Sequence, residues 1–375
     1  MNADLPTRLR ERQRALRGRG LERSLRVRSA SADVIDLAGN DYLGLARDQR
    51  VVQAAIDATR EWGSGATASR LVTGTTQLHE DLEHALADFV GCDAALVFSS
   101  GYLANLGVIT ALSDPGTLVV VDAHAHASLF DAARLSRGQL VVAAHNDVDH
   151  VRAQLRDRQQ PRALVVTESV FSVDGDTAPL GELSELCLSH DATLVVDEAH
   201  AIGTSESGRG LLYGLGLARL PHVVVTGTLS KALGSQGGFV AASPDVRDFL
   251  INRARPFIYD TALAPASCAA AMAALQVVVD EPDRVDRLRK SVGAVAGALG
   301  VSVPDGAVMA LPVASPHRAV EISAALASEG VLVGVFRPPS VPDDISRIRV
   351  TVRADLDESD LAFACDALSR SIGGA

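Results

Sequence analysis

The chain has 375 residues, 47% of them hydrophobic and 4% aromatic, and carries a formal charge of −11. That length suits one large domain and a smaller one with ample core, and no apolar run reaches the roughly 18–20 residues that a membrane span requires. The charge is unevenly spread: nine arginines against Asp4, Glu11 and Glu22 make residues 1–28 about +6 and the remainder about −17, and so acidic a body argues against nucleic acid as the main partner.

Residues 1–39 read as an N-terminal arm. Leu5, Leu9 and Leu16 with interspersed charges predict an amphipathic helix, its arginines available to an anionic substrate. The acids, and the shortage of serine before position 24, argue against a transit peptide. A Ser/Ala loop at Ser29–Asp33 follows. Residues 40–262 form the expected large domain. Its strand candidates are Ala94–Phe98, Leu118–Val121, Leu140–Ala143, Ala163–Thr167, Thr193–Val196, Val223–Thr226 and Gly238–Ala242, with helical patterns such as Gln77–Val90 and Leu180–His190 between most of them. Strands apolar on both faces and separated by helices predict a mainly parallel sheet in a three-layer α/β domain. The last two candidates lie so close together that one of them is a candidate for antiparallel pairing.

Residues 263–375 form the expected smaller α+β domain. A long alanine-rich helix follows Pro265, then strand candidates at Ala307–Val313, Val331–Phe336 and Arg347–Val352, and a helix from about Glu358 to Ile372. Cys92, Cys187, Cys268 and Cys365 are dispersed, with no CxxC pair and no secretory signal. They read as buried thiols of a reducing, cytoplasmic compartment.

Only two residues are lysine, Lys231 and Lys290, against 33 arginines. Arginine serves any surface ion pair but stays protonated, so it cannot act as an amine nucleophile. Lys290 lies in a charged stretch with helical spacing and reads as a solvated helix face. Lys231 lies in a loop of small residues between two apolar runs, which makes it the candidate Schiff-base lysine.

Ligands bind at the carboxyl ends of strands in open α/β sheets. Here the polar residues gather at those ends: Asp122, His124 and His126 after one strand, Glu168, Ser169 and Ser172 after another, then Asp197, Glu198 and His200, then Thr228, Ser230 and Lys231. Any one of these is ordinary helix capping; four together predict a crevice. Pyridoxal 5′-phosphate chemistry needs an amine, a carboxylate that keeps the ring nitrogen protonated, a flat group on the ring face and a phosphate cradle. Lys231, Asp197 and His126 suit the first three. His200 or Ser172 would serve the ring oxygen. Ser99-Ser100-Gly101-Tyr102 at a helix start, with Thr228, suits the phosphate.

Two other readings compete. Gly63-Ser-Gly65-Ala-Thr-Ala68 resembles a dinucleotide fingerprint but follows a helical stretch, where that fingerprint needs a strand. His124 and His126 with Glu168, Asp197 and His200 would suit zinc or iron in a hydrolase. That reading leaves Lys231 and the phosphate-like loop unexplained, so no metal is expected.

Asn40-Asp-Tyr-Leu-Gly-Leu45, the His126-Ala-Ser128 tripeptide, His145-Asn-Asp-Val148, the segment from Thr167 to Asp176, Asp197-Glu-Ala-His200 and Thr228-Leu-Ser-Lys-Ala-Leu-Gly-Ser-Gln-Gly237 together resemble the α-oxoamine synthases, from about residue 20 to the C-terminus. These are fold-type I pyridoxal-phosphate enzymes, transferases that condense a small amino acid with an acyl-CoA. The resemblance implies a Schiff base at Lys231, Asp197 at the ring nitrogen, His126 stacked on the ring, and His200 and Ser172 near the ring oxygen. Gly101, Tyr102 and Thr228 would hold the phosphate, and Glu168 joins the cofactor set. Arg349 would bind the amino-acid carboxylate, with Asn40, Ser340 and Arg23 lining the substrate site. Arg337-Pro-Pro-Ser-Val-Pro342 looks most like the biotin-pathway branch, which implies L-alanine and a pimeloyl thioester, on CoA or a carrier protein, as substrates. The family forms homodimers, so a homodimer is expected. The sequence departs from the family at Ala201, usually glycine, and at the extra His124.

Overall fold

The computed structural model describes residues 4–205, 207–341 and 343–372. Its centre is a seven-stranded sheet of β2 (Ala94–Phe98), β3 (Thr117–Asp122), β4 (Gln139–Ala143), β5 (Arg162–Glu168), β6 (Thr193–Asp197), β7 (Val223–Thr228) and β8 (Gly238–Ala242), in the order β2-β8-β7-β6-β5-β3-β4. The run from β7 to β4 is parallel throughout. β8 is antiparallel to both β7 and β2, as the short connection from β7 to β8 requires. Side chains alternate across the strands. Leu118, Val120, Val165 and Val196 enter one core, while Val119, Val121, Leu164, Val166 and Val195 enter another on the opposite face. Burial on both faces is why these strands read as unbroken valine runs rather than as alternation.

Helices cover both faces, among them α2 (Gln49–Trp62), α3 (Gln77–Val90), α4 (Gly101–Leu112), α5 (Ala127–Leu135), α6 (Val148–Asp157) and α7 (Leu180–Ser189). Helix α2, as expected, precedes Gly63-Ser-Gly65, so no strand feeds that glycine pair. A second sheet has four strands in the order β1-β10-β11-β9, namely β1 (Ile35–Leu37), β9 (Val308–Pro312), β10 (Val331–Phe336) and β11 (Arg347–Thr351). The sequence placed residues 35–37 in an arm, but they pair parallel with β10, Ile35 opposite Val331. Three residues are too short for a periodicity to show; the partner strand, nearly three hundred positions on, decides their structure.

The amphipathic helix expected in the arm is α1 (Leu5–Gly18), with Leu5, Leu9 and Leu16 exposed. Lys290 is exposed on the helix Asp283–Leu299, as expected. Cys92, Cys187 and Cys268 are buried free thiols, but Cys365 is only half-buried, at the margin of the core-facing side of the last helix. Among the described residues no helix is long and apolar enough to cross a membrane.

Candidate active site

Register brings the polar tips together. Glu168 pairs with Asp197 and Asp197 with Thr226 across adjacent parallel strands. Lys231 follows β7 by three residues, and its Nζ lies 2.8 Å from Nε2 of His200. Nδ1 of His200 lies 2.6 Å from the Tyr42 hydroxyl, which donates to Asn40 Oδ1 at 3.0 Å. Arg349, on β11, donates to the same Asn40 oxygen (3.1 Å) and to the Ser172 carbonyl (2.8 Å). A protonated lysine only donates, so Nε2 accepts from it, and His200 then carries its proton on Nδ1 and donates to Tyr42. One chain of hydrogen bonds thus runs from the small sheet through Asn40 and Tyr42 to the lysine.

Enclosure governs the charges here. Burial pushes Lys231 down to about 8, against the pull of Asp197 and Glu168. Burial, reinforced by Lys231 and Arg349, holds His200 well below the ordinary imidazole range. Burial also lowers His126, although Asp197 works against it. Glu168 is raised well above the ordinary carboxyl range by burial and by the neighbouring Asp197. The buried Tyr42 phenol is pushed up to about 12 by the same desolvation. An amine lowered so far supplies a neutral nucleophile near physiological pH.

Asp197 is fixed from two sides: Oδ1 accepts from the Ala199 amide (2.9 Å) and Oδ2 from Asn105 Nδ2 (2.8 Å). His126 caps α5 and holds Ser128 Oγ at 2.7 Å through Nδ1. The start of α4 presses against β7 and β8: a Cβ on Gly101 would stand 3.1 Å from Thr228 Cβ, and one on Gly238 would collide with the Gly101 amide. At Gly238 only glycine fits, and the helix geometry leaves the Gly101 and Tyr102 amides without intrahelical partners, beside the Thr228 hydroxyl.

These residues fit pyridoxal 5′-phosphate. The amine, the oriented carboxylate, the neutral imidazole and the open helix start lie together at the carboxyl ends of the strands, and Glu168 Oε1 is buried there without a hydrogen-bond partner among the described residues. The metal alternative does not fit. His126 engages Ser128, while His124 faces away, stacked on His145 with centroids 3.8 Å apart and 3.4 Å from Asp174, so the two histidines of that pair face different neighbours.

Other expected residues fall differently. Ser172 follows β5 in a loop whose backbone is held by Arg349, and its hydroxyl makes no hydrogen bond among the described residues. Arg23 donates to Ser340 at 2.9 Å, and neither shares a hydrogen bond with the lysine's group. Arg337 is committed to the arm, donating to the carbonyls of Gly20 and Glu22. Pro342 lies outside the described residues. Two residues of the site carried no assigned role in the sequence: Tyr42, inside a quoted motif, and Asn105. A lone amide in an otherwise apolar helix was the available signal for Asn105.

The sequence profile of the aminotransferase class I and II family matches residues 32–368. The chain is 54% identical to the 8-amino-7-oxononanoate synthase of Mycolicibacterium gilvum (strain PYR-GCK), over 94% of this chain and 93% of that protein. It is equally 54% identical to 8-amino-7-oxononanoate synthase 1 of Mycobacterium tuberculosis (strain ATCC 25618 / H37Rv), over 94% and 92%. Among solved structures, serine palmitoyltransferase from S. paucimobilis with a bound PLP–myriocin aldimine superposes with a TM-score of 0.89, at 30% identity and with all of both chains covered. The 8-amino-7-oxononanoate synthase of Francisella tularensis superposes with a TM-score of 0.75, at 25% identity, covering 91% of this chain and 98% of that one. The architecture is the fold-type I transferase fold that the motifs implied.

Proposed function

The chain belongs to the aminotransferase class I and II family, in the group of its 8-amino-7-oxononanoate synthases, and from that premise we propose that it joins L-alanine to a pimeloyl thioester in biotin biosynthesis. It is a pyridoxal 5′-phosphate enzyme of the acyltransferase type. In the proposed reaction alanine loses its Cα proton and Cα bonds to the thioester carbon. The thiol of CoA, or of a carrier protein, departs. The carboxyl group then leaves as CO2, a proton returns to Cα, and 8-amino-7-oxononanoate results.

When bound, the cofactor supplies a sink for the electron pair left at Cα. The chain's own residues do the rest. Lys231 would hold the cofactor and afterwards take and return the Cα proton, work that suits an amine lowered to about 8. Asp197 would face the ring nitrogen, His126 would cover the ring, and His200 and Ser172 would serve the ring oxygen. Glu168, raised by burial and by the neighbouring Asp197, would pack beside them. Gly101, Tyr102 and Thr228 would receive the phosphate. Arg349 and Asn40 bind the alanine carboxylate, and Arg23 with Ser340 meets the far end of the acyl chain. A homodimer is part of the reading and rests on family resemblance alone.

The observation that carries the proposal is the enclosed Lys231 amine, bonded to His200 and in the field of Asp197 and Glu168. Its test is release of free thiol from a panel of acyl-CoAs. Thiol should appear only when amino acid and acyl-CoA are both present, and fastest with L-alanine and pimeloyl-CoA. Faster turnover of glycine with succinyl- or acetyl-CoA would reassign the chain to another α-oxoamine synthesis.

A further inference from the structure

Asn105 sits in the middle of α4, 2% exposed, on a helix whose other polar side chains are only Tyr102 and Thr110. A buried amide is tolerated where every hydrogen bond it can make is matched. Its partners come from three different elements. Nδ2 donates to Asp197 Oδ2 at the end of β6 (2.8 Å) and to Ser128 Oγ on α5 (2.9 Å). Oδ1 accepts from Thr226 Oγ1 on β7 (2.6 Å).

The polarity of this network is determined. A carboxylate only accepts, so the NH2 end of Asn105 must face Asp197, and its second hydrogen goes to Ser128. The Ser128 hydroxyl then has its single hydrogen free for His126 Nδ1, 2.7 Å away. The Ser128 amide, 3.2 Å off, points at the same nitrogen. A ring nitrogen that accepts from both carries no proton, so the imidazole proton lies on Nε2.

We propose that Asn105 is a positioning residue for the reaction: one amide aims the carboxylate of Asp197 and, through Ser128, locks His126 in its neutral Nε2–H tautomer. This rests on the reading above that both groups serve the cofactor ring. The coupling has a physical use. A protonated imidazole against the ring would repel the protonated ring nitrogen and compete with it for Asp197. The charge-assisted bond from Asn105 holds the carboxylate in place before any ligand arrives.

The test uses the full chain with Asn105→Ala, the isosteric Asn105→Asp and Ser128→Ala. Nitrogen NMR of the imidazole rings in the cofactor-free protein should show an unprotonated Nδ1 for His126 in the unaltered chain and mixed tautomers in Ser128→Ala and Asn105→Ala. In the loaded enzyme Asn105→Ala should weaken cofactor binding and lower kcat on the order of 10-fold to 100-fold, with KM for alanine within about twofold. Asn105→Asp should bind cofactor worse than Asn105→Ala, because two carboxylates then oppose each other. Should Asn105→Ala fail to fold, Ser128→Ala alone decides the tautomer. An unchanged His126 tautomer in Ser128→Ala, or cofactor affinity and kcat within twofold in a folded Asn105→Ala, overturns the proposal. An unaltered chain that binds no cofactor overturns the functional reading instead, while the tautomer measurement still decides the wiring.

Discussion

Two histidine clusters stand at strand tips of the large sheet, one neutral and one positively charged. His126 and His200 lie in the crevice, where burial and the nearby Lys231 keep both rings neutral. His145, just after β4, lies between Asp122 and Asp176, each at 2.8 Å. Burial disfavours its charge too, but the two carboxylates outweigh burial and push the ring up to about 9. What differs is direct contact: His145 hydrogen-bonds two carboxylates, whereas neither crevice histidine bonds one and burial dominates there. The neutral pair lies beside the lysine, where His200 can accept from the Lys231 amine at Nε2 only while its ring is neutral. The charged ring ties down a loop. Asp176 also accepts from Asn146 (2.9 Å), and Asp174 from Arg347 (2.9 Å), so the segment bearing Ser172 is clamped from outside while Arg349 holds it from within.

The sharpest way to break the inner cluster is Lys231→Ala. Turnover should be abolished, with the protein still folded and binding cofactor weakly. Borohydride reduction followed by peptide mass spectrometry should place the cofactor on Lys231 in the unaltered chain; finding it on Lys290 or the N-terminus would contradict the assignment. Next comes Asp197→Asn. Removing one partner of a buried charge pair costs roughly 3–5 kcal/mol. The variant should therefore lose on the order of 10²–10⁴ in kcat if that cost appears in the transition state. A rate within threefold of the unaltered enzyme would show that Asp197 does not face the ring nitrogen.

The outer cluster is tested through pH. His145 is raised above its unfolded value near 6.5, so its stabilisation is fully present below that pH and is lost as pH rises through about 9. The cofactor-free protein should lose up to about 3 kcal/mol across this window. Denaturant titrations of His145→Gln should lack that part of the slope; an identical slope would show that the ring is not charged in the folded state. The smallest effects belong to the arm. Arg23→Ala should raise KM for pimeloyl-CoA several-fold while leaving that for alanine unchanged, as loss of an exposed contact worth about 1 kcal/mol predicts. Arg17→Ala, an exposed side chain paired with the half-exposed Glu22, should change stability by less than about 0.5 kcal/mol.

Much of this was legible before the structure. Valine runs of five to seven residues predict buried parallel strands because a strand covered on both faces has no polar side to show. Polar residues at the ends of those runs predict a crevice because parallel connections bring equivalent ends together. Scarcity singled out Lys231, since arginine cannot replace a reactive amine. The sequence could not pair Ile35–Leu37 with β10, because three residues carry no period and the partner is remote in the chain. Nor could it tell that Arg337 would be spent on the carbonyls of Gly20 and Glu22. Least of all could it assign protonation. His126, His145 and His200 are the same residue in similar motifs, and their charges depend on burial and on which carboxylates and cations the folded chain sets within a few ångströms of each ring. Residue types and local periodicity are written along the chain, and they determined the strands, the crevice and the amine. Electrostatic neighbours come from elements far apart in sequence, so only tertiary structure decided which histidines stay neutral and which single amide, Asn105, connects two of the groups that surround the site.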